Sequence, residues 1–133
     1  MKTFQQLSKL TTMLPLWQLC QLGKLDEVEI ALAKKEGDLN SADNFGNTAL
    51  HKAVEFDKIV NIEMLKLLLA DPQLTTINQM NNEGTTPVMY AMELNKLRAL
   101  RELVLHDSVD LDTIDSMGRS LEDVARWVSF YSS

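Results

Sequence analysis

Three glycines at nearly regular spacing constrain this chain more than any other feature. Gly46, Gly84 and Gly118 lie 38 and 34 residues apart, and a Thr or Ser follows each of them by two residues. Self-similarity at such a period is the mark of a stacked repeat protein. A stack of repeats offers a long binding face and no obvious reaction chamber, so the spacing favours binding over catalysis.

The residues around each glycine have physical reasons to recur. The glycines can adopt the positive φ that a tight turn requires. The Thr or Ser that follows can cap a helix by accepting a hydrogen bond from a free backbone N–H. An alanine seven residues after each glycine is small enough for helices of neighbouring repeats to approach closely. These alanines are Ala53, Ala91 and Ala125.

The phrase Thr48-Ala49-Leu50-His51-Lys52-Ala53 resembles the Thr-Pro-Leu-His-x-Ala signature of the ankyrin repeat family. Thr86-Pro87-Val88-Met89-Tyr90-Ala91 keeps the Thr, Pro and Ala, and weaker copies begin at Ser120 and Leu14. The resemblance implies an all-α solenoid of stacked antiparallel helix pairs with protruding hairpin turns. It implies a capping or extension segment at 1–11 and an ankyrin repeat domain at 12–133, with repeats near 12–42, 43–80, 81–114 and 115–131.

Apolar periodicity and the capping signals together predict seven helices. Extra residues around Asp57–Glu63 and Asp71–Thr76 are expected to form loops, because insertions in solenoids map to loops. The predicted helices are Pro15–Leu22, Leu25–Lys35, Thr48–Phe56, Asn61–Ala70, Thr86–Asn95, Leu97–His106 and Ser120–Phe130.

The composition argues against nucleic acid and membranes as partners and favours a reducing compartment. The formal net charge of -6 argues against nucleic acid, which needs clustered Lys and Arg. No stretch of the sequence approaches the length of a transmembrane span, so we expect no membrane association. The single cysteine, Cys20, excludes an intramolecular disulfide and favours a reducing compartment. We therefore expect a cytoplasmic monomer, with the nucleus as an alternative location.

No catalytic constellation emerges from the sequence. His51 matches the signature histidine, whose usual role in ankyrin repeats is to bond the backbone of the turn. His106 has no second ligand at metal-binding spacing. Cys20 lies in an apolar stretch, where thiols are usually inert. We expect no enzyme activity, no metal and no cofactor.

The resemblance implies a protein partner bound on a concave face lined by hairpin tips and inner helices. Phe45 and Phe56 are the candidate anchors, and three glutamates around them suggest a partner segment with basic residues beside an apolar group. Alternatively, Phe56 packs under the following loop and Phe45 stiffens its turn. The candidate partner-binding residues are Leu22, Asn44, Phe45, Asn47, Glu55, Phe56, Met80, Asn82, Glu83, Thr85, Glu93, Leu94, Met117 and Arg119.

Two further interpretations stay open at this point. The stretch from Leu32 to Asn40 resembles the Leu-x5-Asp-Val-Asn phrase at which ankyrin repeats are hydroxylated on asparagine, so Asn40 is a candidate modification site. Alternatively, Asn40 bonds the hairpin backbone. The chain is expected to act as an interaction module, with a stand-alone inhibitor or a targeting domain of a larger enzyme or channel as alternatives.

Overall fold

A computed structural model describes residues 14–35, 38–55, 58–115 and 117–132, with side chains as far as Arg126. These residues form helices and two isolated β-bridges, Ala42–Thr48 and Ile114–Ser120. The all-helical solenoid expected from the sequence is confirmed. The helices are α1 Leu16–Gln21, α2 Leu25–Lys34, α3 Ala49–Glu55, α4 Ile59–Ala70, α5 Pro87–Glu93, α6 Leu97–Val104 and α7 Leu121–Ser132.

The helices form two rows. Helices α1, α3, α5 and α7 pack side by side in an inner row, and α2, α4 and α6 pack side by side in an outer row. Each outer helix also packs against the inner helix that precedes it in the chain. This arrangement is the stack of antiparallel helix pairs that the repeat spacing predicts.

The core runs continuously between the two rows. Every helix of the described residues contributes at least one large, fully buried side chain, and each of these helices is too short to be stable alone. Stability therefore comes from burying apolar faces between neighbours. Fully buried members include Leu19, Leu50, Met64, Leu65, Leu68, Met89 and Leu103.

Three hairpins with the same hydrogen bonds precede α3, α5 and α7. In the first, the Asp43 carboxylate accepts from the backbone N–H groups of Phe45 and Asn47, and the Gly46 N–H donates to the Asp43 carbonyl. Asn81 and Asp115 make the equivalent bonds in the other two hairpins. An acceptor side chain at the first position of the phrase therefore fixes each turn.

The capping prediction is confirmed at two helices with clear geometry. The Thr86 hydroxyl accepts from the Met89 N–H at 3.3 Å, with Pro87 in the first turn of α5. Ser120 and Asp123 cap α7 reciprocally, since each side chain accepts from the other's backbone N–H. Helix α4 begins at Ile59, two residues before the predicted start, so the predicted loop before it is shorter than expected.

The prediction that small alanines allow neighbouring helices to pack closely is confirmed at two of the three positions. Ala53 and Ala91 are completely buried, as expected where the inner helices α3 and α5 pack against neighbours on both sides. Ala125 is exposed, so the prediction of close packing at this position is wrong. Helix α7 packs against α5, and within residues 117–132 no further helix follows to cover its other side.

Candidate binding site

His51 is a structural residue at the centre of the stack. Its Nδ1 accepts from the Thr48 N–H at 3.1 Å, and its Nε2 donates to the Thr85 carbonyl of the next hairpin at 2.8 Å. Burial lowers the pKa of His51, and the bond to Thr85 only partly opposes this shift. The neutral ring therefore joins two neighbouring repeats.

The other candidate reactive groups are also part of the packing. Burial raises the pKa of the Cys20 thiol to about 12, which makes it a poor nucleophile. His106 donates from Nε2 to the Leu69 carbonyl at 3.0 Å and accepts the Ser108 N–H at Nδ1, so it links the end of α6 to the end of α4. In the part of the chain that the structure describes, no His, Cys, Asp and Glu side chains cluster as metal ligands.

A cluster of carboxylates surrounds Tyr90 on the inner row. The Tyr90 hydroxyl is hydrogen-bonded to Glu55 from α3, and Glu83 from the hairpin and Glu93 from α5 lie close enough to act on it electrostatically. Partial burial, followed by the charges of Glu55 and Glu83, raises the pKa of Tyr90. The ring also packs edge-on against His51, with centroids 5.8 Å apart. An aromatic ring and three acidic groups thus share one surface.

Arg119 from the last hairpin reaches into this acidic surface. Its Nε donates to Asp115 at 2.7 Å, and its terminal NH2 group contacts Glu93 at 3.2 Å. Burial raises the pKa of Glu93; Arg119 opposes that shift, while Asp115 and Glu83 add to it. A guanidinium group is therefore already bound at one end of the carboxylate cluster.

Large apolar side chains are exposed at the hairpin tips. Phe45 is 71% exposed, although the next hairpin packs against its backbone: the Asn82 N–H donates to the Phe45 carbonyl at 2.9 Å. Met117 at the tip of the last hairpin is also exposed, and its N–H is held by Asp115. Backbone hydrogen bonding links the first two hairpins through Phe45 and Asn82, and Arg119 links Glu93 to Asp115 of the last hairpin.

The predicted partner-binding residues fall into several groups. Thr85 is only 5% exposed, so its predicted place on a binding surface is wrong: it is buried where its carbonyl bonds His51. Asn47 and Asn82 bond the neighbouring hairpin. Phe56 lies outside the described residues. The exposed members of the set are Leu22, Asn44, Phe45, Met80, Asn82, Glu83, Leu94 and Met117, and the half-buried ones are Asn47, Glu55, Glu93 and Arg119.

Tyr90 was missed by the sequence interpretation, although its position carried a signal. Lys52 stands four residues after Thr48, and Tyr90 stands four residues after Thr86. Each side chain lies near a carboxylate of the hairpin that precedes its helix. Lys52 forms an ion pair with Asp43 at 2.8 Å and lies 5.8 Å from the centre of the Trp17 ring. Comparing the two repeats position by position would have placed Tyr90 on this side.

The Asn40 side chain links two neighbouring repeats through hydrogen bonds. Its side-chain amide donates to the Gln73 carbonyl at 3.0 Å, and its Oδ1 accepts from the Thr75 N–H and the Thr76 hydroxyl. Asn78 repeats this arrangement one unit later with Ser108 and Asp110. Asn40 therefore bonds backbone, as the alternative expected, but the backbone of the segment after α4 rather than of a hairpin; hydroxylation stays a prediction.

No helix in the described segments combines the length and the apolar character that crossing a bilayer requires.

Comparison with known sequences gives one family model and several related proteins. Residues 3–76 match a family model described as ankyrin repeats in three copies. A UPF0507 protein of Debaryomyces hansenii is 32% identical over 74 residues, which is 56% of this chain and 6% of that protein.

Neurogenic locus notch homolog protein 1 is a second kind of relative. The mouse protein is 29% and the human protein 28% identical over 89 residues, which is 67% of this chain and 3% of each relative. The chain thus spans a small fraction of the curated relatives it matches. Ankyrin repeats are generally protein–protein interaction modules, and such modules are typically not enzymes. With the helices of the described residues stacked in this order and more than half of its length matched, the chain belongs to the ankyrin repeat family.

Proposed function

We propose that this chain binds a protein partner on its concave side, along a surface that we call the hairpin face. The hairpin face consists of Phe45, Glu55, Glu83, Tyr90, Glu93 and Met117. The observation that carries the proposal is that Phe45 and Met117 are exposed at hairpin tips of a stack in which three glutamates act on one tyrosine. Soluble proteins rarely gather exposed apolar groups in one patch without a use.

The chemistry of the hairpin face indicates the kind of partner. Phe45 and Met117 offer apolar contact area, while Glu55, Glu83 and Glu93 offer negative charge around a tyrosine. Aromatic anchors with a polar rim are typical of protein-binding hot spots. The partner segment therefore carries Lys or Arg next to an apolar or aromatic side chain.

The contact between Arg119 and Glu93 supports this chemistry from within the chain. A guanidinium group lies on the carboxylate cluster with an N···O distance of 3.2 Å. An incoming basic residue would make the same kind of charge-assisted hydrogen bond with the carboxylates around Tyr90. Electrostatic complementarity of this kind contributes specificity and association rate.

Selection from a random peptide library displayed on phage tests the proposed chemistry. The expected result is enrichment of peptides that place a basic residue within a few positions of a Leu, Phe or Trp. Enrichment of acidic peptides, or of peptides without charge, would contradict the proposal.

A matched pair of variants then tests the location. Phe45 is 71% exposed and Ile59, at the start of the outer helix α4, is 73% exposed, so each substitution by Ala shortens an apolar side chain of similar fractional exposure. We expect Phe45→Ala to weaken the best selected peptide at least about tenfold, or 1.4 kcal/mol. Ile59→Ala should leave the affinity unchanged. Equal effects of the two variants would refute the hairpin face as the site.

Two roles make use of the same face. The chain either masks its partner as a stand-alone inhibitor or carries a larger enzyme or channel to it. The second role is consistent with the relatives, in which the matched stretch is a few per cent of a much longer protein. We place the interaction in the cytoplasm, with the nucleus as the alternative, because the chain has one cysteine and that residue is buried as a free thiol.

A further inference from the structure

The outward side of α6 differs from the outward sides of the other outer helices. Leu97, Arg101 and Val104 are all exposed at i, i+4 and i+7, and Arg98 and Leu105 flank them. We call these five residues the α6 face. In α4, Ile62 occupies the position that corresponds to Leu97 and is 7% exposed, whereas Leu97 is 65% exposed. At this position the last outer helix of the described chain therefore exposes an apolar side chain where the preceding one buries it.

The charges of the α6 face are also unpaired within the described residues. Arg119 and Arg126 each form an ion pair with a glutamate, and Lys66 on α4 contacts Glu63. Arg98 and Arg101 form no ion pair in the same part of the chain. Two arginines beside exposed leucines form a basic, apolar helix surface on a protein whose net charge is -6.

We propose that the α6 face of one copy docks onto the hairpin face of a second copy, so that the chain associates head to tail. The inference rests on the proposed function, because a basic segment with an apolar anchor is the partner chemistry assigned to the hairpin face. The α6 face presents that chemistry on the same molecule. An amphipathic helix laid in a groove is a common recognition mode.

The two faces are complementary in charge and in apolar content. Arg98 and Arg101 are neighbours on the helix surface, roughly 5–6 Å apart at Cβ, and they would meet the glutamates that surround Tyr90. Leu97 and Leu105 would meet the exposed side chains of Phe45 and Met117. The contact joins different surfaces of the two copies, so it is heterologous and can add further copies, as rings or as open chains. This proposal departs from the monomer expected from the sequence.

Sedimentation velocity over a concentration series tests the proposal. For the intact chain, we expect a weight-average mass that rises above the 15.0 kDa of one copy as concentration increases. Two variants should each weaken association at least tenfold: Leu97→Ser with Arg101→Glu on the α6 face, and Phe45→Ala with Glu83→Lys on the hairpin face. Ile59→Ser, which changes an equally exposed residue on α4, should associate like the intact chain.

Mixing the two defective variants gives the sharpest test. Each retains the face that the other has lost, so an equimolar mixture should form dimers of one copy of each and nothing larger. If the intact chain stays at one copy up to millimolar concentration, the proposal fails. It also fails if only the α6 variant loses association and mixing restores nothing, because that outcome indicates an α6-to-α6 contact. Substitutions at exposed positions should leave the far-UV circular dichroism unchanged, and Leu105→Ser offers a second α6 variant if the first does not fold.

The peptides selected for the proposed function separate the two ideas. If a selected basic peptide binds the intact chain and Phe45→Ala weakens it while the chain stays monomeric, the proposed function stands and self-association fails. If the chain associates head to tail, the same peptide should compete with association, because both occupy the hairpin face. Association that is insensitive to saturating peptide would contradict the docking geometry.

Discussion

The first and last hairpins share one set of turn hydrogen bonds but differ in what surrounds them. Gly46 in the first hairpin lies against Asn82 of the next one, whereas a Cβ at Gly118 in the last hairpin would meet nothing within 4 Å. His51 after the first hairpin is buried, and Asp123 at the same position after the last one is exposed. The same phrase therefore supports the stack in the interior and forms an open surface at its end.

The largest difference in stability between the two hairpins is expected when their glycines are replaced by alanine. Both have positive φ, +78° at Gly46 and +77° at Gly118, so Ala is strained at either position. Only at Gly46 would the new Cβ lie within 2.8 Å of the Asn82 backbone nitrogen. We expect Gly46→Ala to lower the free energy of unfolding by about 3 kcal/mol or more, and Gly118→Ala by about 1–2 kcal/mol. Chemical denaturation of both variants measures this, and equal losses would remove the distinction.

The second largest difference is expected in the stability that the ion pairs of the two hairpins contribute. Lys52 and Asp43 are 11% and 7% exposed in their side chains, while Arg119 is 36% exposed. Lys52→Met leaves a nearly buried carboxylate without its cation and should cost about 2–3 kcal/mol. Arg119→Met should cost less, about 1–2 kcal/mol, because Arg119 is 36% exposed and solvent screens its end of the pair, although its partner Asp115 is only 2% exposed in its side chain. A larger loss for Arg119→Met would show that the last hairpin is held as firmly as the first.

Overpacking tests the same contrast on the helices. Ala53→Leu and Ala91→Leu insert three carbons where the inner helices pack tightly and should each cost about 2 kcal/mol. Ala125→Leu places the same atoms on the exposed side of α7 and should lie within about 0.5 kcal/mol of the unchanged chain. Denaturant midpoints for the three variants decide the matter, and a marked loss at Ala125 would indicate a cover on that side.

The pH dependence of stability isolates His51. Its folded pKa lies below the ordinary value of about 6.5, so its contribution to stability is complete above pH 6.5 and is lost as the pH falls through the folded pKa. Glu93, whose pKa is raised by burial, acts in the opposite sense as the pH falls. The profile for His51→Met, subtracted from that of the intact chain, should therefore show the histidine loss between about pH 7 and 5. A flat difference would contradict the neutral-ring assignment.

The smallest expected effect is hydroxylation of the asparagines that link neighbouring repeats. Treatment with an asparaginyl hydroxylase should add one oxygen at Asn40, which matches the hydroxylation phrase better than Asn78 does. Because three bonds hold the Asn40 side chain, the reaction requires local opening of the stack. Tandem mass spectrometry locates the added mass. No added oxygen at Asn40, or addition at Asn78 alone, would count against the phrase.

Most of the fold could be predicted because each repeat carries its own boundary signals. Thr86 and Pro87 mark the start of α5, Ser120 marks the start of α7, and the predicted ends of most helices lie within two residues of the observed ones. Packing between repeats was harder to predict. Ala125 looks like Ala53 in the sequence, and only the structure shows that no described helix covers it.

The candidate site was predicted only in outline, for a related reason. Exposure at the hairpin tips follows from the turn, so Phe45 and Met117 could be found. Thr85 could not be excluded, because its burial depends on a histidine 34 residues away. Comparison with Lys52 could have indicated the side on which Tyr90 lies, but not its carboxylate neighbours, because these come from α3, the hairpin and α5.

The central claim is that the hairpin face binds a basic, apolar partner segment, and amide chemical-shift mapping tests it most directly. A peptide selected from the random library is titrated into the isotopically labelled chain. The account predicts that the largest shifts fall on the amides of Phe45, Glu83, Tyr90, Glu93 and Met117, while those of the outer helix α4 barely move. Largest shifts along α2 or α4, with the hairpin tips unchanged, would contradict it.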